Sequence, residues 1–133
     1  MALDYFAFNR IIKLIQTSVE NGKILKISQI SNEEFLFVIR NENHNYNLLI
    51  STHPNMSYIN LINDRPDSNR ISSNLLMLLR KHLENGKITS FAQQNDDRIV
   101  QIKIVNRDDY FRNTEHQLFI ELIGRASNLI LVN

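Results

Sequence analysis

Asn21-Gly22-Lys23-Ile24 recurs as Asn85-Gly86-Lys87-Ile88, and this repetition decides how the chain folds. Each copy follows an apolar helical pattern, and five residues after each stands a glutamine, Gln29 and Gln93. Ahead of the first copy, Leu3, Ala7, Ile11, Leu14, Ile15 and Val19 are spaced mostly by three and four, which predicts an amphipathic helix buried along that stripe. Ahead of the second, Leu75, Leu76, Leu79 and Leu83 do the same, with Ser72 or Ser73 as the N-cap. Gly22 and Gly86 stand where a left-handed residue would end each helix. Apolar runs separated by turn-prone Asn, Asp, Ser and Pro predict strands at 23–30, 34–40, 45–51, 57–62, 87–93, 98–105, 117–123 and 127–132.

Each half therefore reads as one helix, a glycine stop and four strands, an internal repeat of 1–64 and 65–133 joined by a polar connector at 63–71. One half is too small to hold a core of its own. Two can bury their sheet faces against each other, so the expected fold is α+β: one domain over 1–133, an eight-stranded β-sandwich or flattened barrel with two flanking helices.

The bulk composition is ordinary: 43% hydrophobic and 22% charged over 133 residues. A net charge of +1 announces no global polyanion binder, so any nucleic-acid surface must be a local patch. The chain has no cysteine, and its four histidines show no metal-ligand spacing, so neither a metal nor a cofactor is expected. His44, His53, His82 and His116 are expected at the surface or in loops. Apolar runs of about five or six residues are far short of a membrane span. No basic segment followed by an apolar run marks a secretory signal, and a cytoplasmic location is the expectation.

Three stretches carry a resemblance: Leu79-Arg80-Lys81-His82-Leu83-Glu84-Asn85-Gly86-Lys87-Ile88, then Asp97-Arg98-Ile99-Val100, then Glu121 through Val132 with Gly124-Arg125-Ala126-Ser127-Asn128 inside it. With the Met1-Ala2-Leu3-Asp4 start, they resemble in order and spacing the N-terminal (NFACT) domain of the bacterial fibronectin-binding protein A family, which includes the ribosome quality-control factor H proteins. The resemblance implies a fold similar to the N-terminal domain of formamidopyrimidine-DNA glycosylases. Those enzymes use an N-terminal proline amine and an adjacent glutamate, and the Met1-Ala2-Leu3-Asp4 start lacks that chemistry. A non-enzymatic domain is implied.

In the quality-control members, the whole protein binds a large ribosomal subunit still carrying peptidyl-tRNA and helps bring alanyl-tRNA, so that an alanine tail grows on the stalled chain. The resemblance places the family's Asp-Arg pair, needed for tailing, on Asp97-Arg98, and its early aspartate on Asp4. Three positions depart from the pattern: Tyr5 stands for a glycine, Ser72-Ser73-Asn74 lacks a proline, and Ala126 replaces a histidine. Members continue into a helix-hairpin-helix element, a coiled-coil arm and a further RNA-binding domain, so this chain is expected to be the first part of a longer protein.

Strand alternation puts Arg98 on the core side with Val100 and Ile102, and Asp97 on the opposite side. A guanidinium at the rim of a core needs a carboxylate or carbonyls to offset its desolvation. Asp4 is a natural helix cap and the expected partner of Arg98, leaving Asp97 exposed. Arg80, Lys81 and His82 fan across roughly 200° of the second helix and cannot form one cluster. Lys87 and Arg125 follow glycine-marked turns and suit phosphate as simple charges. The tRNA-binding candidates are therefore Asp97, Arg98, Asp4, Arg125 and Lys87, with no catalytic residue. Three functions stay open: a tRNA- and ribosome-binding domain, a surface adhesin for fibronectin, or an interaction module docking through an edge strand.

Overall fold

The structure, a computed structural model, describes residues 2–64, 66, 71–95 and 97–133, without the side chains of residues 2–6. Helix α1 (Ala2–Val19) precedes β1 (Lys23–Gln29), β2 (Glu34–Asn41), β3 (His44–His53) and β4 (Met56–Ile62). Helix α2 (Asn74–Leu83) precedes β5 (Lys87–Gln93), β6 (Ile99–Arg107), β7 (Asn113–Glu121), a 3-10 turn at Gly124–Ala126 and β8 (Asn128–Val132). Among the described residues the expected α+β content is present as eight antiparallel strands and two α-helices. The strands form one open sheet in the order β4-β3-β2-β1-β5-β6-β7-β8, which does not close into a barrel.

The two sets of four strands meet where the Asn-Gly-Lys-Ile copies cross. Asn21 N–H donates to Ile88 O (2.8 Å), Ile88 N–H to Gly22 O (2.8 Å), Asn85 N–H to Ile24 O (2.7 Å) and Ile24 N–H to Gly86 O (2.9 Å). Lys23 and Lys87 pair there, and β1 and β5 then run apart in opposite directions. Both strands carry a bulge just beyond, between Ile24 and Lys26 and between Ile88 and Ser90. A glutamate from each helix end satisfies the strand edge that the divergence leaves open. Glu84 Oε2 accepts from Ile27 N–H (2.9 Å) and Glu20 Oε2 from Phe91 N–H (3.0 Å).

The left-handed residues at the two helix ends are Asn21 (φ 73°) and Asn85 (φ 71°), not the glycines, because asparagine tolerates that region. Gly22 and Gly86 serve close approach instead. A Cβ on Gly22 would lie 2.8 Å from Ile39 Cγ2, and one on Gly86 only 2.6 Å from Ile104 Cγ2.

Helix α1 buries Ile15 and Val19 as its periodicity suggested, but departs from the expected stripe at the other described positions. Phe8, Ile12, Ile15 and Val19 face the core, whereas Ala7 and Leu14 are exposed and Ile11 is only partly covered. Phe8 and Ile12 take the places expected for Ala7, Ile11 and Leu14, which puts an aromatic ring into the core. Leu3 falls among the side chains outside the described residues. On α2, Leu76, Leu79 and Leu83 are buried, Leu75 packs at the margin, and Ser73 is the N-cap, its Oγ accepting from Leu76 N–H (3.1 Å). Strand β7 begins at Asn113, earlier than expected, so His116 joins Leu118 and Ile120 on the core side. His116 is accordingly buried, its ring 4.8 Å from that of His82, whereas His44 and His53 are exposed as expected.

Candidate functional site

The Asp97-Arg98 pair sits in the turn between β5 and β6. Gln94 N–H donates to Ile99 O (2.8 Å) and Asp97 N–H to Gln94 O (3.0 Å), which closes the hairpin. Two consecutive residues of α1 then brace two consecutive residues of the turn. Asn9 Nδ2 donates to Gln93 Oε1 (2.8 Å), and Gln93 Nε2 donates to the Asp97 carbonyl (2.7 Å), fixing the turn through its backbone. Beside it, the Arg98 guanidinium lies 4.7 Å from the centre of the Phe8 ring. Arg98 Nε donates to Leu122 O (3.0 Å), while Leu122 N–H donates back to Arg98 O (2.9 Å). The chain therefore supplies the arginine with a carbonyl and an aromatic face.

The expected Asp4–Arg98 contact involves a side chain outside the described residues. Asp4 itself belongs to α1, one turn before Phe8. Asp97 is exposed and forms no ion pair among the described residues. Its backbone is held, while its carboxylate has no partner among the described residues. Such a group is an acceptor for a ribose 2′-hydroxyl or the amino edge of a base.

Arg125 projects from the 3-10 turn three residues beyond Leu122, where Gly124 takes φ 51° and Ser127 Oγ donates to Gly124 O (2.7 Å). It is exposed and follows directly from the strand end that holds Arg98. Lys87 is set apart. It opens β5, and Gln93 closes that strand, so the two ends are roughly 20 Å apart at strand rise. The structure thus gathers Asp97 and Arg98 against α1, leads from them to Arg125, and leaves Lys87 at the crossing of the two halves.

Asn9, Phe8, Gln93 and Leu122 belong to this site and were not singled out as candidates from sequence. The repeated glutamine was the available signal. Gln29 does the equivalent work in the first half: its Oε1 accepts from Ser73 Oγ at the start of α2, and its Nε2 donates to Asn32 O (3.4 Å). Among the described residues no group of three or more His, Cys, Asp or Glu comes together as metal ligands. None of their helices is long and apolar enough to cross a membrane.

Two helix-plus-four-strand halves, joined by crossing first strands and carrying an Asp-Arg turn braced on the first helix, define the class of α+β domain to which this molecule corresponds. The chain belongs to the family described as NFACT N-terminal and middle domains, which matches residues 4–133. It is 32% identical over all 133 residues to the Rqc2 homolog RqcH of Streptococcus pneumoniae strain D39, covering 24% of that protein. To the Rqc2 homolog RqcH of Bacillus subtilis strain 168 it is 33% identical over 119 residues, which are 90% of this chain and 21% of that protein. The crystal structure of the N-terminal domain of fibronectin-binding protein PavA from S. pneumoniae superposes with a TM-score of 0.93 at 32% identity, over 97% of this chain and 49% of that one. The chain spans under a quarter of the length of these two curated relatives.

Proposed function

We propose that this domain binds RNA, as the part of a cytoplasmic ribosome quality-control factor that holds tRNA against the large ribosomal subunit. In this proposal the whole protein meets a subunit carrying peptidyl-tRNA, engages alanyl-tRNA and supports alanine tailing, and the domain binds without catalysing a step. The observation that carries the proposal is the division between the two signature residues. Among the described residues, Arg98 is held by Leu122 O and the Phe8 ring, and Asp97 is held by its backbone with no partner on its carboxylate. Kinship with proteins named Rqc2 homologs supports it. Asp97 then supplies choice among RNA groups, while Arg125 and Lys87 supply phosphate contacts. The equivalent roles of Glu20 and Glu84, and of Gln29 and Gln93, support a further proposal that residues 1–64 and 65–133 derive from one duplicated unit.

The structural relative PavA is named as a fibronectin-binding protein, which favours a second reading, adhesion. Fluorescence anisotropy with labelled deacylated and alanyl-tRNA, beside immobilised fibronectin, separates the two. The RNA proposal expects tRNA binding that weakens steeply with salt, a salt slope reduced by about one unit in Arg125→Ala, and weaker tRNA binding in Asp97→Ala. Fibronectin binding with no tRNA affinity would replace it with the adhesion reading.

A further inference from the structure

Lys23 and Lys87 are direct partners across the crossing, and Arg40 is the direct partner of Lys23 on β2. Residues directly opposite in an antiparallel pair project to the same face. The neighbours Ile24, Ile39 and Ile88 point into the core, so Arg40, Lys23 and Lys87 form a row of three exposed cations across the outward face. None of the three forms an ion pair among the described residues. Like charges directly opposite on neighbouring strands are destabilising unless an anion lies over them.

The row continues across the sheet through Val105 and Glu115 into an open cavity of about 660 Å³. Lys87, Arg107, Asp108 and Glu115 line it, two cations and two carboxylates, together with Val105 and with Phe111 at the tip of the β6–β7 hairpin. Phe111 is 80% exposed and held at φ 62°, a region unusual for a bulky residue. The tip is fixed around Asp108. Its Oδ1 accepts from Tyr110 N–H and Arg112 N–H (both 2.9 Å), its Oδ2 accepts from Arg112 Nε (2.9 Å), and Phe111 N–H donates to Asp108 O (2.9 Å). An exposed aromatic side chain thus lines a cavity that has cations on its approach and both charges on its wall.

We propose that this outward face binds single-stranded RNA, with phosphates along Arg40, Lys23 and Lys87 and one base stacked on Phe111 in the cavity. The proposal rests on the RNA reading above and gives it a second contact surface, at the opposite end of β5 from Asp97. Its size suits one nucleotide, since small-ligand sites run from about 300 to 1,000 Å³. Cations that follow a backbone, ending on an aromatic platform, are the parts used for single strands. An anionic lipid surface fits less well: its headgroups would meet Asp109 and Glu115 together with the cations, whereas a single strand can keep its phosphates on the cations and present only an uncharged base to the carboxylate side of the cavity.

The sequence contains no tryptophan, so Phe111→Trp installs a single tryptophan, excited selectively over the four tyrosines, at an exposed position. Titration with an oligouridylate of about twelve nucleotides should quench that emission, and Lys23→Glu with Lys87→Glu should weaken oligonucleotide anisotropy about tenfold. Phe111→Ala should weaken it about fivefold or more. Anisotropy showing a bound oligonucleotide with unquenched emission would overturn the stacking site. So would equal quenching by heparin, which has no bases, or a blue shift on anionic vesicles without an effect of RNA. If tRNA binds and neither Phe111→Ala nor the lysine changes alter any RNA affinity, this surface is excluded while the RNA reading stands. If the unsubstituted protein binds neither tRNA nor oligonucleotide, both fall.

Discussion

Replacing Arg98 by alanine tests whether the signature arginine is a brace or a contact. The change removes a charged donor to Leu122 O, a kind of bond that contributes about 1.5–3 kcal/mol. It also removes a guanidinium 4.7 Å from the Phe8 ring, which adds about 0.5–1 kcal/mol at a half-exposed site. Freed arginine rotamers no longer oppose folding, which returns about 1.5–2 kcal/mol. Taken end for end, the net loss is about 0.5–2 kcal/mol, or a melting point lower by about 2–10 °C for a chain of this length. Arg98→Lys keeps the charge but not the planar fork, and should recover little of it. Asp97→Ala should stay within about 0.5 kcal/mol of the parent, because Gln93 holds the Asp97 carbonyl, which survives the change. Circular dichroism melts of the three variants, run beside tRNA anisotropy, give the ranking. An Arg98→Ala melt within about 1 °C of the parent, or an Asp97→Ala melt lower than it, would refute the division of labour.

Gly86→Ala should destabilise by about 1–3 kcal/mol in urea unfolding, because its Cβ would meet Ile104 Cγ2 at 2.6 Å with Leu83 O at 3.0 Å behind it. Glu84→Ala should speed amide exchange selectively at Ile27, and Glu20→Ala should do so at Phe91; a uniform increase in both would deny the exchanged clamp. His82 titrates below its ordinary 6.5, foremost because burial disfavours its charged form and then because of His116 and Lys81. Its contribution to stability is full above pH 6.5 and is lost as pH falls through the lower folded value, so His82→Gln should reduce the loss of melting temperature below pH 6.5.

The architecture was legible because its signals are local. The Asn-Gly-Lys-Ile copies, the helical spacing before them and the Ser73 cap all act within a few residues, and both helices and all eight strands follow from them. What was not legible depends on partners far along the chain. The choice between the Phe8–Ile12–Ile15–Val19 face and its neighbour is made by the sheet packed against α1. Gly22 and Gly86 are glycine because Ile39 and Ile104 leave no room for a Cβ there, a constraint invisible before the sheet is formed, while the left-handed turn falls on Asn21 and Asn85. Asp97 and Arg98 were legible as a pair pointing opposite ways. That Arg98 finds a carbonyl was one of two open alternatives, and Leu122 could be named only once β6 and β7 were paired.

A net charge of +1 describes this domain poorly, since it averages a row of three aligned cations against acids that include Glu115 at the far end of the same face. Affinity drawn from that row would be salt-sensitive and indifferent to sequence, whereas the exposed Asp97 carboxylate repels phosphate and can only reward a particular donor. The two surfaces stand roughly 20 Å apart along β5, a span too long for direct coupling between side chains. Asp97→Ala and Lys87→Glu should therefore add in their free-energy effects on tRNA binding, within about 0.5 kcal/mol. Lys87→Glu should also slow association, most strongly at low salt, and Asp97→Ala should act on dissociation. Anisotropy and stopped-flow measurements on the single and double variants decide the matter. A coupling energy well above that limit would mean that one RNA segment meets both residues at once, and the assignment of affinity to one face and choice to the other would have to be given up.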